Sequence, residues 1–176
     1  MLHNSTTCPD TKVLGANVVP GPTSPLVGKV NKSAIFTLDG EKIGVVGIDI
    51  AAKTMQSSRP SDGTVLTDEQ IAAQSEIDDL IANHSVNKII LLTHIGYDED
   101  NAVSDPTLAA ALSGVDVIVG GDSHSLLGDA NYSRLGTVQG DYPTMATNAD
   151  GKKVCIVQAW EYTKLLGHLR VEFDEA

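Results

Sequence analysis

Three side chains that commonly bind metals stand directly after apolar runs of this sequence. His94 ends the run "IILLTH", and Asp122 and His124 follow the run "VDVIVGG". Imidazole nitrogen and carboxylate oxygen are ligands for divalent ions such as zinc and manganese. If the two runs are parallel strands joined by a right-handed crossover, their carboxyl ends lie side by side at the edge where α/β sheets bind ligands. The spacing therefore predicts a metal site at that edge.

Two other interpretations fit the same residues. His94 can bond a backbone carbonyl while Asp122 caps a turn, which would be a purely structural arrangement. Gly-Asp-Ser at 121–123 also matches the nucleophile motif of SGNH-type serine esterases, with Ser123 as the nucleophile. In those enzymes the motif lies near the start of the chain and a histidine follows an aspartate by three residues near its end. Here Leu165 stands three residues before His168, so the esterase is a remote alternative.

Further polar and aromatic residues occur close to these motifs. Asp98 and Asp100 in "GYDED", together with Asp129, have the chemistry of an extra ligand or a general base, although a solvated acidic loop is the favoured interpretation. Trp160 and Tyr162 in "QAWEYTK" follow a late apolar run and are predicted to shape a pocket or to pack.

Alternating elements must position these groups. Apolar runs on both sides of "DGEK" predict a β-hairpin over 33–50. Residues 67–83 predict a helix with Thr67 as its N-cap and with Ile71, Gln74, Ile77 or Asp78, and Ile81 on one face. A strand over 86–94 is expected to be buried on both faces because it is continuously apolar. A short helix over 105–114 and the strand 115–121 come next, and the last third predicts three more strands, with a turn at 148–153 and a bulge at Gly167.

Composition limits the classes of function. The 176 residues are 41% hydrophobic, which predicts a single domain over 1–176 with a sizeable core. The formal net charge of -11 argues against binding of nucleic acid polymers or of an anionic membrane surface. No apolar run approaches the roughly 20 residues of a membrane span, and "MLHNSTTCPD" lacks the pattern of a secretory signal.

Four blocks of the chain together resemble one known family. "SAIFTLDGEKIGVVGI", "VNKIILLTHIGYDED", "LSGVDVIVGGDSHSLL" and "VCIVQAWEYTKLLGHLRVEFD" are similar, in order and spacing, to the metallophosphoesterase (calcineurin-like) catalytic domain of bacterial 5'-nucleotidases. The resemblance implies a mixed-sheet α/β sandwich, corresponding to the C-terminal half of an α/β/β/α domain. It also implies divalent metal ions (Zn, Mn, Mg or Ca) and hydrolysis of small phosphate monoesters by a metal-activated water.

The resemblance also assigns roles to individual residues. His94 and His124 match metal-binding histidines, and Asp122 stands where the family has another histidine, so Asp122 and His124 are the expected catalytic residues. Asn17 matches a block in which its expected role is structural hydrogen bonding. The family's earlier motifs would precede residue 15, so the chain is expected to be a weak, truncated phosphatase, a non-catalytic fragment, or one piece of a split enzyme. An uncovered apolar sheet face would then favour a partner chain or a homo-oligomer. Relatives of this kind imply a periplasmic or secreted location.

Overall fold

A mixed sheet forms the centre of the computed structural model, which describes residues 11–98 and 103–173. The strands of the chain are β1 (Val18–Val19), β2 (Ser33–Leu38), β3 (Glu41–Asp49), β4 (Val65–Leu66), β5 (Ile89–His94), β6 (Val117–Val119), β7 (Leu126–Leu127), β8 (Val138–Gly140), β9 (Thr144–Thr147) and β10 (Lys153–Val157). Strand β1 pairs with β4, and β7 with β8, in two separate two-stranded sheets. The helices are α1 (Ala51–Ser57), α2 (Glu69–His84) and α3 (Asp105–Ala111), with a 3₁₀ helix at Ala130–Arg134. The predicted α/β class with a mixed sheet is confirmed.

The order of the large sheet explains how the strand ends come together. Its strands run β2-β3-β5-β6-β10-β9. The four inner strands are parallel, and β2 and β9 pair antiparallel at the two edges. Helices α1 and α2 connect β3 to β5, and α3 connects β5 to β6. The carboxyl ends of β3, β5, β6 and β10 therefore meet at one edge of the sheet.

Both predicted hairpins are confirmed, whereas the third late strand is not. Asp39 and Gly40, with φ of 52° and 88°, turn β2 into β3, as a tight two-residue hairpin requires. Residues 148–152 join β9 to β10. The prediction of a strand with a bulge at Gly167 is wrong, because residues 165–173 have no regular structure. The chain leaves the sheet after β10 through left-handed residues, including Trp160 and Tyr162 (φ 63° and 49°), which interrupt an extended backbone.

Helix α2 covers one face of the sheet with a different side from the predicted one. Asp68 is its N-cap, not Thr67, since the Asp68 carboxylate accepts from the Ile71 amide at 2.8 Å. Ile77 and Leu80 are buried, with Ala73, whereas Ile71 is 72% exposed. The three buried residues of α2 pack on the sheet, together with the buried side chains of α3. None of the described helices is long and apolar enough to cross a membrane.

The other face of the sheet is partly uncovered. Side chains alternate between the two faces along a strand, so the register places Phe36, Leu92, Val119 and Met145 together on the side away from α2. We call these four residues the open face. Leu92 is 44% exposed, so the prediction that this strand is buried on both faces is wrong. The predicted uncovered apolar sheet face is confirmed.

The segment before β2 covers a corner of this side of the sheet. Leu14 lies so close to Gly47 that a Cβ there would come within 2.6 Å of the Leu14 backbone, which explains the glycine in mid-strand. The Asn17 side chain donates to the carbonyl oxygens of Asp49 and Thr67 at 2.7 and 3.2 Å. Asn17 thus has the structural role that the sequence predicts. Beside this corner, a groove of about 550 Å³ runs past Leu92 to His94.

Candidate functional site

The carboxyl edge of the sheet brings together one cation, one imidazole and one carboxylate. His94 is the last residue of β5, and its Nε2 lies 3.5 Å from Oδ1 of Asp122, which follows β6. Lys53, in α1 just after β3, donates to Oδ1 and Oδ2 of Asp122 at 2.8 and 2.7 Å. The Asp122 side chain is only 8% exposed. The predicted proximity of His94 and Asp122 is therefore confirmed.

Two glycines allow this close arrangement. A Cβ on Gly121 would lie 3.0 Å from Nδ1 of His94, and a Cβ on Gly120 would collide with the carboxylate of Asp105. Asp122 itself has φ of 73°, a left-handed conformation in which the chain turns sharply. The turn after β6 thus points the Asp122 carboxylate back across the end of β5.

His124 lies in a second group of contacts, apart from that pair. Its Nδ1 is 3.3 Å from Oε2 of Glu161, and the edge of its ring meets Tyr162 at a centroid distance of 5.0 Å. Lys164 donates to the other Glu161 oxygen, and this hydrogen bond lowers the pKa of the Glu161 carboxyl. The described residues contain no cluster of three or more His, Cys, Asp and Glu side chains arranged to hold a metal. The structure thus joins His94 to Asp122 and turns His124 towards Glu161.

Ser123 connects neighbouring loops. Its Oγ accepts from the Tyr97 amide at 2.9 Å and lies 2.8 Å from Oγ of Ser125. Gln158 Nε2 donates to the same oxygen at 3.3 Å. Through these hydrogen bonds the Ser123 hydroxyl links the loops that follow β5, β6 and β10. They favour a structural role for Ser123 over that of a nucleophile.

The other residues singled out in the sequence lie around the edge of this region. Asp129 caps the 3₁₀ helix, because its Oδ1 accepts from the Asn131 amide at 2.8 Å. Asp98 is exposed, and Asp100 lies outside the described residues. Trp160 packs beneath the ammonium of Lys164, which is 4.3 Å from the ring centroid. Asp129 and Trp160 therefore have local structural partners.

His94 and Asp122 have the separation that one divalent ion requires. Two tetrahedral ligands at ordinary zinc distances are about 3.4 Å apart, and their donor atoms here are 3.5 Å apart. A catalytic zinc site commonly has three protein ligands. His94 and Asp122 therefore suit two positions of such a ligand set. In this structure the cation that contacts Asp122 is the Lys53 ammonium.

Sequence reasoning missed Lys53 and Glu161. Both follow inner strands of the sheet: Lys53 comes four residues after β3, and Glu161 comes four residues after β10. The rule that predicted His94 and Asp122 applies equally to these two strand ends. Extending it to every parallel strand would have identified both residues.

Comparison with known proteins identifies the relatives of this chain. A probable 5'-nucleotidase of Treponema pallidum is 43% identical over 166 residues, which are 94% of this chain and 27% of that protein. The crystal structure of a 5'-nucleotidase precursor from Thermus thermophilus superimposes with a TM-score of 0.76 at 39% identity, covering 85% of this chain and 28% of that one. The chain is homologous to part of the 5'-nucleotidases. No protein-family model matches it.

The resemblance to 5'-nucleotidases is thus confirmed, and it concerns a limited portion of them. The chain spans about a quarter of the length of the curated relative, since 27% of that protein is covered. A calcineurin-like phosphoesterase from Bacillus subtilis shares the fold alone, with a TM-score of 0.54 at 22% identity over 70% of this chain and 40% of that one. Both comparisons agree with the predicted fold.

Proposed function

We propose that this chain supplies part of the metal site of a phosphatase that hydrolyses small phosphate monoesters. His94, Asp122 and His124 are the proposed ligands. The observation that carries the proposal is the 3.5 Å separation of His94 Nε2 and Asp122 Oδ1 at the carboxyl edge of the sheet. The homology to 5'-nucleotidases supports it and favours nucleoside 5'-phosphates as the substrate class.

In this proposal each residue has a defined task. His94, Asp122 and His124 would hold a divalent ion (Zn, Mn, Mg or Ca). Such an ion polarises a phosphoryl oxygen and lowers the pKa of water to near neutrality. Lys53, within 2.8 Å of Asp122, supplies positive charge that attracts a phosphate dianion to an otherwise acidic chain. An apolar groove of about 550 Å³ runs beside His94.

Removal of the proposed ligands gives the first test. We expect His94→Ala and His124→Ala each to lower the affinity for zinc or manganese at least roughly tenfold, because even residues that only support a ligand have effects of that size. Hydrolysis of a chromogenic phosphate monoester should fall in parallel. His84→Ala is the matched control, since this histidine lies at the far end of α2 and contacts Asp79.

Other results of this experiment would contradict the proposal. Unchanged turnover in either ligand variant would place the activity elsewhere. Failure of the wild type to bind any metal after incubation with divalent ions would favour the alternative of a non-catalytic fragment. Activity that survives these changes but is lost in Ser123→Ala would favour the serine esterase.

A second candidate is a phosphatase whose site is completed by further protein. The open face favours this, because an apolar sheet surface with exposed Leu92 and Met145 promotes association. We propose that the face packs against the remainder of such a domain, a partner chain or a second copy, and that the assembled enzyme works outside the cytoplasm. If a second copy covers the face, multi-angle light scattering of the chain should give a mass above its 18.5 kDa. Leu92→Lys, in β5, should lower that mass. Lys42→Ala should leave it unchanged, because Lys42 lies at the start of β3 and donates to the His84 carbonyl at the end of α2. A monodisperse monomer of the wild type would contradict self-association.

A further inference from the structure

The segment after β10 contacts His124 through two consecutive residues. Oε2 of Glu161 lies 3.3 Å from Nδ1 of His124, and the Tyr162 ring meets the edge of the imidazole at a centroid distance of 5.0 Å. His124 has φ of 51°, a left-handed conformation. One ring nitrogen of the histidine therefore contacts a carboxylate, and the ring has an aromatic neighbour.

We propose that Glu161 is a positioning residue that sets the tautomer and the orientation of His124. A carboxylate can only accept, so the neutral imidazole carries its proton on Nδ1 and presents the lone pair of Nε2. This inference rests on the proposed function, in which Nε2 of His124 is the atom that binds the divalent ion. Glu161 does not contact the ion itself.

Lys164 completes the arrangement. It donates to Oε1 of Glu161, which leaves Oε2 for the histidine, and its ammonium lies 4.3 Å from the centroid of the Trp160 ring. The lysine thus fixes the carboxylate from one side while the indole fixes the lysine. Carboxylates that orient a metal-binding histidine raise its basicity, and loss of one typically costs 10- to 100-fold in metal affinity.

The tautomer of His124 can be measured without any metal. In long-range ¹H–¹⁵N spectra of the labelled full chain, with the ring assigned through His124→Ala, we expect the Nδ1–H form in the wild type. Glu161→Ala should shift the population towards the Nε2–H form and should weaken zinc binding roughly 10- to 100-fold in titration calorimetry. Glu161→Gln retains an acceptor oxygen and should keep most of both properties. Glu172→Ala, in the same segment and paired with Arg170, is the matched control.

The possible outcomes separate this inference from the proposed function. An identical His124 tautomer in wild type and Glu161→Ala would overturn it. A tautomer shift with unchanged zinc affinity would equally overturn the positioning role. If the wild type binds no zinc but its tautomer still depends on Glu161, the control of the histidine by Glu161 is supported and the proposed metal site fails.

Discussion

Replacement of Ile77 by alanine is expected to lower the free energy of unfolding by roughly 2–5 kcal/mol. Ile77 lies in α2 and is fully buried against the sheet. Its Cγ2 packs beside Gly114, which follows α3. Truncation removes apolar contacts and leaves a cavity that the strands below cannot fill by moving. Urea denaturation followed by circular dichroism measures the loss.

A neighbouring isoleucine of the same helix gives the matched control. Ile71→Ala should change stability by less than about 0.5 kcal/mol, since its side chain is 72% exposed. Equal losses in the two variants would mean that α2 packs through the face predicted from sequence. If Ile77→Ala does not fold, Ile77→Val should still cost about 0.5–1.5 kcal/mol.

This difference between two isoleucines shows where the sequence pattern stops being informative. The predicted face joined the three isoleucines of the helix with Gln74, whereas the buried face includes Ala73, Leu80 and the acidic Glu69. Glu69 is buried because its Oε1 accepts from the Ala51 amide at 2.7 Å, at the start of α1. Hydrophobic periodicity assigns such an acid to solvent, so it places the buried face of the helix incorrectly.

The site was predictable to the extent that it depends on strand order. Apolar runs separated by a helical segment imply parallel neighbours, and this rule placed His94 next to Asp122. It could not place His124, because two left-handed residues, Asp122 and His124, decide which way this short turn points its side chains. Nor could it give Glu161 as a partner of His124, because this carboxylate follows β10 in a segment without regular structure.

A buried acid beneath the same edge predicts how stability depends on pH. Asp105 begins α3 and is fully buried, and its Oδ1 lies 2.6 Å from Oγ1 of Thr93, the neighbour of His94. Its Oδ2 has no hydrogen-bond partner among the described residues. Burial disfavours the charged carboxylate and raises the pKa of Asp105 to about 7, from an ordinary 3.8.

The sign of the effect follows from linkage. Because the folded state holds the proton more tightly than the unfolded chain, the stabilisation from Asp105 is complete below the ordinary pKa of 3.8 and is lost as pH rises through about 7. At about 1.4 kcal/mol for each pH unit of that window, the wild type should lose roughly 2–4 kcal/mol of unfolding free energy between pH 4 and pH 8. Asp105→Asn removes the titrating group and should lack this part of the decline.

The quantity to compare is the difference in unfolding free energy between wild type and Asp105→Asn at each pH of that window, because contributions that both proteins share cancel in it. Asp39→Asn, in the exposed turn between β2 and β3, controls for the loss of one carboxylate from an acidic chain and should follow the wild type. Parallel curves for wild type and Asp105→Asn would mean that Asp105 stays ionised when buried, which requires a cationic partner for Oδ2. A steeper decline in wild type means instead that the Asp105 carboxyl holds a proton near neutral pH. Its partner Thr93 directly precedes His94, the histidine proposed to bind the metal.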